Sequence, residues 1–447
     1  MATLRQLSVG LVLASAVCLG QAAAPTARGA MRVSVKDFGA VGDGVTKDTA
    51  ALQKALDTCA VNGGGTVDVP AGNYLIGSVQ MGSGTTLHLE QGATLTGSAD
   101  AADYPTMDIR WEGRWQPGRR ALIYAANVDH IAITGSGTIA GNARMAAPQN
   151  PRGSVVLEPI ACNDVRWEGF TVTQGGNWAT HPTYCSDVVI KNVTITGNRD
   201  GIDVDSCKDV TIDGCTISTG DDSISLKSGR GMDGARIQRP TENVTITNCT
   251  LTDRTFACIG IGSETSAGVR NIKIEHCKMT SPRSAAIYLK TRVGRSGFND
   301  DISVDDVDVA GSLLKVNLVS GGNMNTADDP VPGEVGIPSA KNLRISNVRL
   351  TDAAVIADVS QVNAEKPFEG LWLENISGTA KKGITLVNVK DAVVKGIAVT
   401  GVEGPMVSVS NATGEGLEGA AAYTPPARGA GRSGAGRRGG GGNAGMP

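Results

Sequence analysis

Apolar and polar residues alternate along most of this chain, in short runs that break at one turn residue and then resume. DVVIKNVTIT from Asp187, DVTIDGCTIS from Asp209, NVTITNCTLT from Asn243 and NIKIEHCKMT from Asn271 share the pattern. DVRWEGFTVT from Asp164, DISVDDVDVA from Asp301, NLRISNVRLT from Asn342 and DAVVKGIAVT from Asp391 repeat it, and NVDHIAITGS from Asn127 is a looser copy. Period-two alternation marks a strand with one buried face, and a turn residue in its middle makes two short strands joined by a bend. Asp187 to Asp209 is 22 residues and Asp164 to Asp187 is 23. Three short strands and three turns need about that many. Longer intervals, such as the 34 residues from Asp209 to Asn243, imply a loop inserted into one turn. Units that cannot bury an apolar face alone stack on one another. The predicted fold is therefore all-β, a right-handed single-stranded parallel β-helix.

A further strand follows each unit, beginning near Gly201, Ser223, Cys258, Ala286 and Lys315. Alternation turns Ile202, Val204, Ile224, Leu226, Ile259, Ile261, Ile287 and Leu289 inward. It sends Asp203, Asp205, Ser225, Lys227, Gly260, Tyr288 and Lys290 outward, as a polar strip down the solenoid. Cys215, Cys249 and Cys277 fall at one register, which reads as an inward stack of small apolar groups. Asn192, Asn248, Asn347 and Asn375 share the turn register, where Asn tolerates a left-handed backbone and bonds its own main chain. Near the start, DTAALQKALDTCA from Asp48 is a helix with Asp48 at its N-cap and Leu52, Leu56 and Cys59 as its apolar stripe. It is expected to cap the open end of the solenoid.

Length and composition refine this picture. A solenoid of 447 residues needs no division into several cores. A net charge of −3 excludes a broad basic surface for nucleic acid. Gly is frequent, at 59 residues, and aromatics make up 4%, which suits tight turns and narrow strands. Residues 1–24 read as a signal peptide, with an apolar run from Leu7 to Leu19 that is too short to span a bilayer. A secreted or periplasmic, soluble protein is expected, with residues 31–412 forming the β-helix. Residues 421–447 are Gly/Arg-rich and read as a disordered tail. The cysteine spacing fits neither a disulfide framework nor a zinc site.

The chemistry concentrates in NRDGIDVDSC at 198–207 and TGDDSISLKSG at 219–229. Asp200 and the Asp221-Asp222 pair lie one uninterrupted coil apart, so their carboxyls should stand side by side, about 4.8 Å from coil to coil. Clustered carboxylates raise at least one pKa, which separates an acid from a base as glycoside hydrolysis requires. A solvated acidic ladder or a calcium site would give the same spacing.

KDFGAVGDGVTKDTAALQKAL, NWATHPTYCSDVVIKNVTI, NRD-G-x-D, GDDSISLKSG, IGSE at 261–264 and LKT at 289–291 appear together and in order. In these segments the chain resembles glycoside hydrolase family 28, the polygalacturonase and rhamnogalacturonan hydrolase group of pectin-lyase-like β-helices. The resemblance implies an inverting, secreted glycosidase acting on a pectin-type, uronate-containing polysaccharide. It implies Asp221 as general acid, and Asp200 and Asp222 as the carboxylates that hold the attacking water. Lys290 contacts substrate, with Tyr288, Phe256, Asp203, Arg199, Lys227 and Glu264 as further substrate-binding candidates. Neither a metal nor another cofactor is called for, and a monomer is expected.

Two departures bear on specificity. Phe256 stands where the family usually has the His of Gly-His-Gly, and Tyr288 stands where it has the Arg of Arg-x-Lys. A lost guanidinium removes a bidentate partner for a carboxylate, so a neutral sugar such as rhamnose beside the cleaved bond is expected. Trp111 and Trp115, in RWEGRWQPGRR, read equally as a sugar-stacking pair or a core lid. Arg292 and Arg295 could bind uronate or be solvated loop charges. His181 reads as a buttress of the site, and His88, His130 and His276 as structural. A β-helix polysaccharide lyase using Lys290 with calcium, and a non-catalytic glycan-binding solenoid, are the competing readings.

Overall fold

The computed structural model describes residues 31–142, 154–173, 177–322 and 329–425. The expected signal peptide lies outside the described residues, as does the tail from residue 426 onward.

Each repeat builds one coil of a right-handed parallel β-helix. Ser186–Lys191, Lys208–Asp213, Thr241–Thr247 and Val269–Glu275 pair in parallel, with Val188, Val210, Val244 and Ile272 in one column. After the bend, Thr194–Thr196, Thr216–Thr219, Thr250–Asp253 and Lys278–Ser281 form the second ribbon. The third ribbon contains Ile202–Asp205, Ile224–Lys227, Ala257–Gly262, Ala285–Lys290 and Leu314–Asn317. Beyond Phe298 the first two ribbons fuse into long strands such as Phe298–Gly311 and Ser339–Ala353.

The bends are made as expected in backbone but not in side-chain bonding. Asn192, Asn248, Asn347 and Asn375 all adopt left-handed φ values of 52° to 55°. So, at 52° to 57°, do residues that open the repeats, among them Asp187, Asp209, Asn243 and Asn271. The side chains of Asn243, Asn248, Asn271, Asn347 and Asn375 bond to the preceding coil rather than to their own main chain. Asn243 Nδ2 donates to Asp209 Oδ1 at 2.7 Å, and Asn248 Nδ2 to Asp213 Oδ1 at 2.8 Å. Strain at these turns is thus offset by a ladder that also fixes coil-to-coil register.

Inside, one continuous apolar core runs from Val35 to Val399. Cys215, Cys249 and Cys277 lie buried in it with free thiols, as do the other five described cysteines. The helix Thr49–Val61 closes the N-terminal end with Leu52, Ala55, Leu56 and Cys59. Asp48 occupies its N-cap position, but its carboxylate does not cap the helix. It accepts instead from the Val41 and Gly42 amides at 2.6 and 2.9 Å, pinning the preceding loop. At the other end Ala421–Ala422 pairs with Ser408 and Val409, so the sheet continues past the expected boundary into the segment read as tail.

The outward strip of the third ribbon is not an open surface. Asp203, Asp205, Ser225, Lys227 and Lys290 are buried. An antiparallel hairpin, Thr106–Trp111 and Arg114–Arg119, covers part of it. Its two-residue turn, Glu112-Gly113, has positive φ at both positions, the backbone that best matches strand twist in a tight hairpin.

Candidate active site

Outward residues of the third ribbon form the floor of a cleft of about 630 Å³. Asp200, Asp221 and Asp222 converge there, each offering a carboxylate oxygen within 4.8 Å of the others. The convergence follows from coil stacking, because Asp203 pairs with Ser225 and so places Asp200 beside the Asp221-Asp222 turn. Gly260 leaves room for the Asp222 carboxylate. A Cβ at Gly260 would lie 2.3 Å from Asp222 Oδ2.

Two lysines organise these acids. Lys290 Nζ lies 2.6 Å from Asp222 Oδ2. Lys227 Nζ lies 3.2 Å from Asp200 Oδ2 and 2.5 Å from Asp203 Oδ1, with its charge 4.0 Å above the Trp178 ring. Ser225 Oγ donates to Asp222 Oδ2 at 2.8 Å. Burial pushes Asp200 up, but Lys227 and Lys290 outweigh it and hold Asp200 below the ordinary carboxylate value. Burial, with the charges of Asp200 and Asp222, raises Asp221 to about 7. Burial also raises Asp222, against the pull of Lys290. Neighbouring carboxyls are thereby driven apart, and a proton is available on Asp221 near neutral pH. Three carboxylates this close could also hold a divalent cation, but Lys290 and Lys227 already supply two positive charges to them.

Arg199, Phe256, Glu264, Tyr288, Lys290 and Lys227 all line the cleft, where the resemblance expected substrate contacts. Asp203 does not. It is wholly buried beneath Lys227, so it sets that lysine's position and cannot touch a ligand. Phe256 is 43% exposed, the most open aromatic in the cleft. Lys290 Nζ stands 5.4 Å from its ring centre and 5.7 Å from that of Tyr288, and Lys315 stands 4.8 Å from the Tyr288 ring.

Behind the floor lies a buried ionic network. Arg110 Nε binds Asp205 at 3.0 Å with both side chains fully buried. His181 lies between Glu158, 3.1 Å from its Nδ1, and Asp205, 3.7 Å from its Nε2. Burial would lower the His181 pKa, but the two acids outweigh it and raise it. His181 is therefore a buttress, and its ring meets Trp178 edge-on at 4.9 Å. His88, His130 and His276 bond to Thr134, Asp164 and Asp306 away from the cleft.

Trp111 belongs to a lid, stacked on Trp178 at 4.6 Å in a small cluster with Ile109, Ala121 and Val155. Trp115 stays 39% exposed beside Tyr184. Arg295 is buried against the Ser263 carbonyl, and Arg292 binds the carbonyls of Ser320, Gly321 and Gly322. Both arginines shape the cleft wall rather than reach into it. Sequence reasoning missed Glu112, Asn317 and Ser320 to Gly322 as cleft residues. Only Glu112 left a signal, as half of a Glu-Gly turn between two aromatic-rich runs.

The profile of the family described as "Glycosyl hydrolases family 28" matches residues 59–393. A probable polygalacturonase of Vitis vinifera is 29% identical over 364 residues, covering 77% of this chain and 73% of its own. Among solved structures, the family 28 exopolygalacturonase of Yersinia enterocolitica superposes with a TM-score of 0.76 at 20% identity, covering 88% of this chain and 79% of its own. The hyperthermoactive exopolygalacturonase of Thermotoga maritima gives 0.65 at 25% identity, covering 86% and 92%.

Proposed function

The chain belongs to the glycosyl hydrolases of family 28, and from that premise we propose that it hydrolyses a pectin-type, uronate-containing polysaccharide with Asp221 as the general acid. The observation that carries the reading is the split among adjacent carboxyls, with Asp221 raised to about 7 and Asp200 held low. The Asp221 proton passes to the glycosidic oxygen as the C1–O bond breaks. Asp200 and Asp222 orient a water whose oxygen bonds to C1 and whose proton passes to one of them. Lys290 and Lys227 hold those two carboxylates in place and favour the ionised form of Asp200. The names of the relatives support a galacturonan-type chain, and an apolar leader at residues 7–19 supports action outside the cytoplasm.

Stereochemistry needs its own test. Each of the three carboxyls offers an oxygen within 4.8 Å of the others, a tight cluster beside the roughly 6.5–9.5 Å between carboxyl groups of two-carboxylate inverting sites. That closeness favours a second reading, retention through attack by Asp222 or Asp200. Inversion is preferred because each is held by a lysine, at 2.6 and 3.2 Å, and Asp222 is only 1% exposed.

Purified protein is to be given homogalacturonan and rhamnogalacturonan oligomers, and the products followed by NMR from the first turnovers. Saturated products of inverted anomeric configuration are expected, in the presence of chelator as in its absence. Unsaturated, UV-absorbing products that vanish with chelator would establish a lyase instead. Retained configuration would move Asp222 or Asp200 to the nucleophile's role.

A further inference from the structure

We infer that the cleft is closed at one end, so that this enzyme removes units from a chain terminus rather than cutting within the chain. The inference rests on the hydrolase reading above and concerns how the polymer reaches that site.

The outward column of the third ribbon runs the length of the solenoid. Tyr124 pairs with Glu158, and farther on Asp203, Ser225, Gly260, Tyr288, Lys315, Asp358, Thr385 and Ser408 pair each with the next. A groove open at both ends would leave this column accessible on both sides of the acids. Before the acids, Tyr124 and Glu158 are 8% and 2% exposed; among the acids and just past them, Asp203, Ser225 and Tyr288 are 0%, 0% and 7% exposed; beyond, Lys315, Asp358, Thr385 and Ser408 are all part-exposed. The surface therefore continues from the acids toward the C-terminal coils only.

The hairpin closes the other side. Ile109 and Trp111 pack on Ala121, Val155 and Trp178, the last stacked at 4.6 Å. Arg110 is fixed to Asp205 in the floor. At the tip, Glu112 pairs with Arg230 at 3.1 Å, and the Gly113 carbonyl accepts from the Arg230 amide at 3.1 Å. Glu112 and Trp178 line the cleft beside Asp200. The wall thus stands next to the acids, anchored at its base by a buried ion pair and latched at its tip. A polymer entering from the C-terminal side meets it just past the reacting bond, and only a chain end fits.

The test compares bond breakage with chain shortening. Homogalacturonan and rhamnogalacturonan are digested with the wild-type enzyme, and viscosity, reducing ends and product lengths are recorded together. One short product of fixed length is expected from the earliest times, with viscosity falling far more slowly than reducing ends rise. In a variant with residues 108–117 replaced by Gly-Gly, internal cleavage should rise by about tenfold, the equivalent of one added sugar contact of ~1.4 kcal/mol. Early release of mixed oligomers with a steep loss of viscosity, from the wild type, overturns terminal attack while leaving the hydrolase intact. That wild-type result decides the matter even if the shortened variant does not fold. Failure to break bonds in any polymer overturns the hydrolase reading and this inference with it.

Discussion

At Asp221, burial and two neighbouring carboxylates act in one direction, and catalysis and stability then pull against each other. The folded carboxyl titrates at about 7, against 3.8 for an unperturbed one. The folded state therefore holds the proton more tightly. The stability associated with it is complete below pH about 4 and is lost as pH rises through about 7. Activity that uses the proton falls over the same upper range. Asp221→Asn should lower kcat by about 10²–10⁴-fold. It should also melt higher than the wild type at pH 8, with the difference shrinking at pH 4. Melting curves and kcat at both pH values check the pair of claims, and near-wild-type turnover in the variant would remove Asp221 from its role. Tyr288 makes a separate claim. With Lys290 and Lys315 near its ring, positive charge persists where the family's arginine is missing. Tyr288→Arg should therefore improve kcat/KM on homogalacturonan by only about tenfold, the lower end expected for one regained charge-assisted hydrogen bond. A comparison of both polymers as oligomers reads this directly; an unchanged ratio would show that position 288 does not set specificity.

At the scale of elements, what could be read from the sequence depends on whether an element obeys the repeat. The strands were legible because Val188, Val210, Val244 and Ile272 recur at the coil interval. So were Asp200, Asp221 and Asp222, because one uninterrupted coil separates them. The hairpin was not legible. Its apolar residues serve a local cluster outside the main core, and no pattern in the sequence joins Arg110 to its distant partner Asp205. The same omission made Asp203 look like a ligand contact, since alternation tells which way a side chain points but not what lies over it. Removing one partner of a buried ion pair leaves the other uncompensated, at a cost of about 3–5 kcal/mol. Arg110→Met should lower stability in denaturant by about that amount. Unfolding midpoints within error of the wild type would mean that the aromatic contacts and the Arg230 latch hold the hairpin without Arg110.

For the molecule as a whole, the eight described cysteines are buried and unpaired in a protein expected outside the cytoplasm. A compartment that permits disulfides does not compel them. Here coil stacking supplies the cohesion, and the thiols serve as apolar volume. Reductant should leave the melting temperature unchanged and alkylating reagents should modify none of the eight before unfolding. A fall in melting temperature with dithiothreitol would contradict this. Asp48 makes a related point about the N-terminal end. Sequence placed it correctly at the start of the helix, but its carboxylate secures the Val41-Gly42 loop instead of the helix amides. Position was legible and partner was not, because the loop's approach depends on the packing of the first coils.

Because the outward column of the third ribbon pairs coil to coil from Asp203 to Ser408, with one slip after Lys315, the solenoid is a ruler graduated at about 4.8 Å. The reacting groups occupy its marks between Asp200 and Lys290, and every mark beyond them is a place to grip one more stretch of polymer. Copying a whole coil into the winding after Gln361 would lengthen the graduated scale without moving its zero. The reach of this protein along a polysaccharide is in that sense a count of coils, set independently of the chemistry at its closed end.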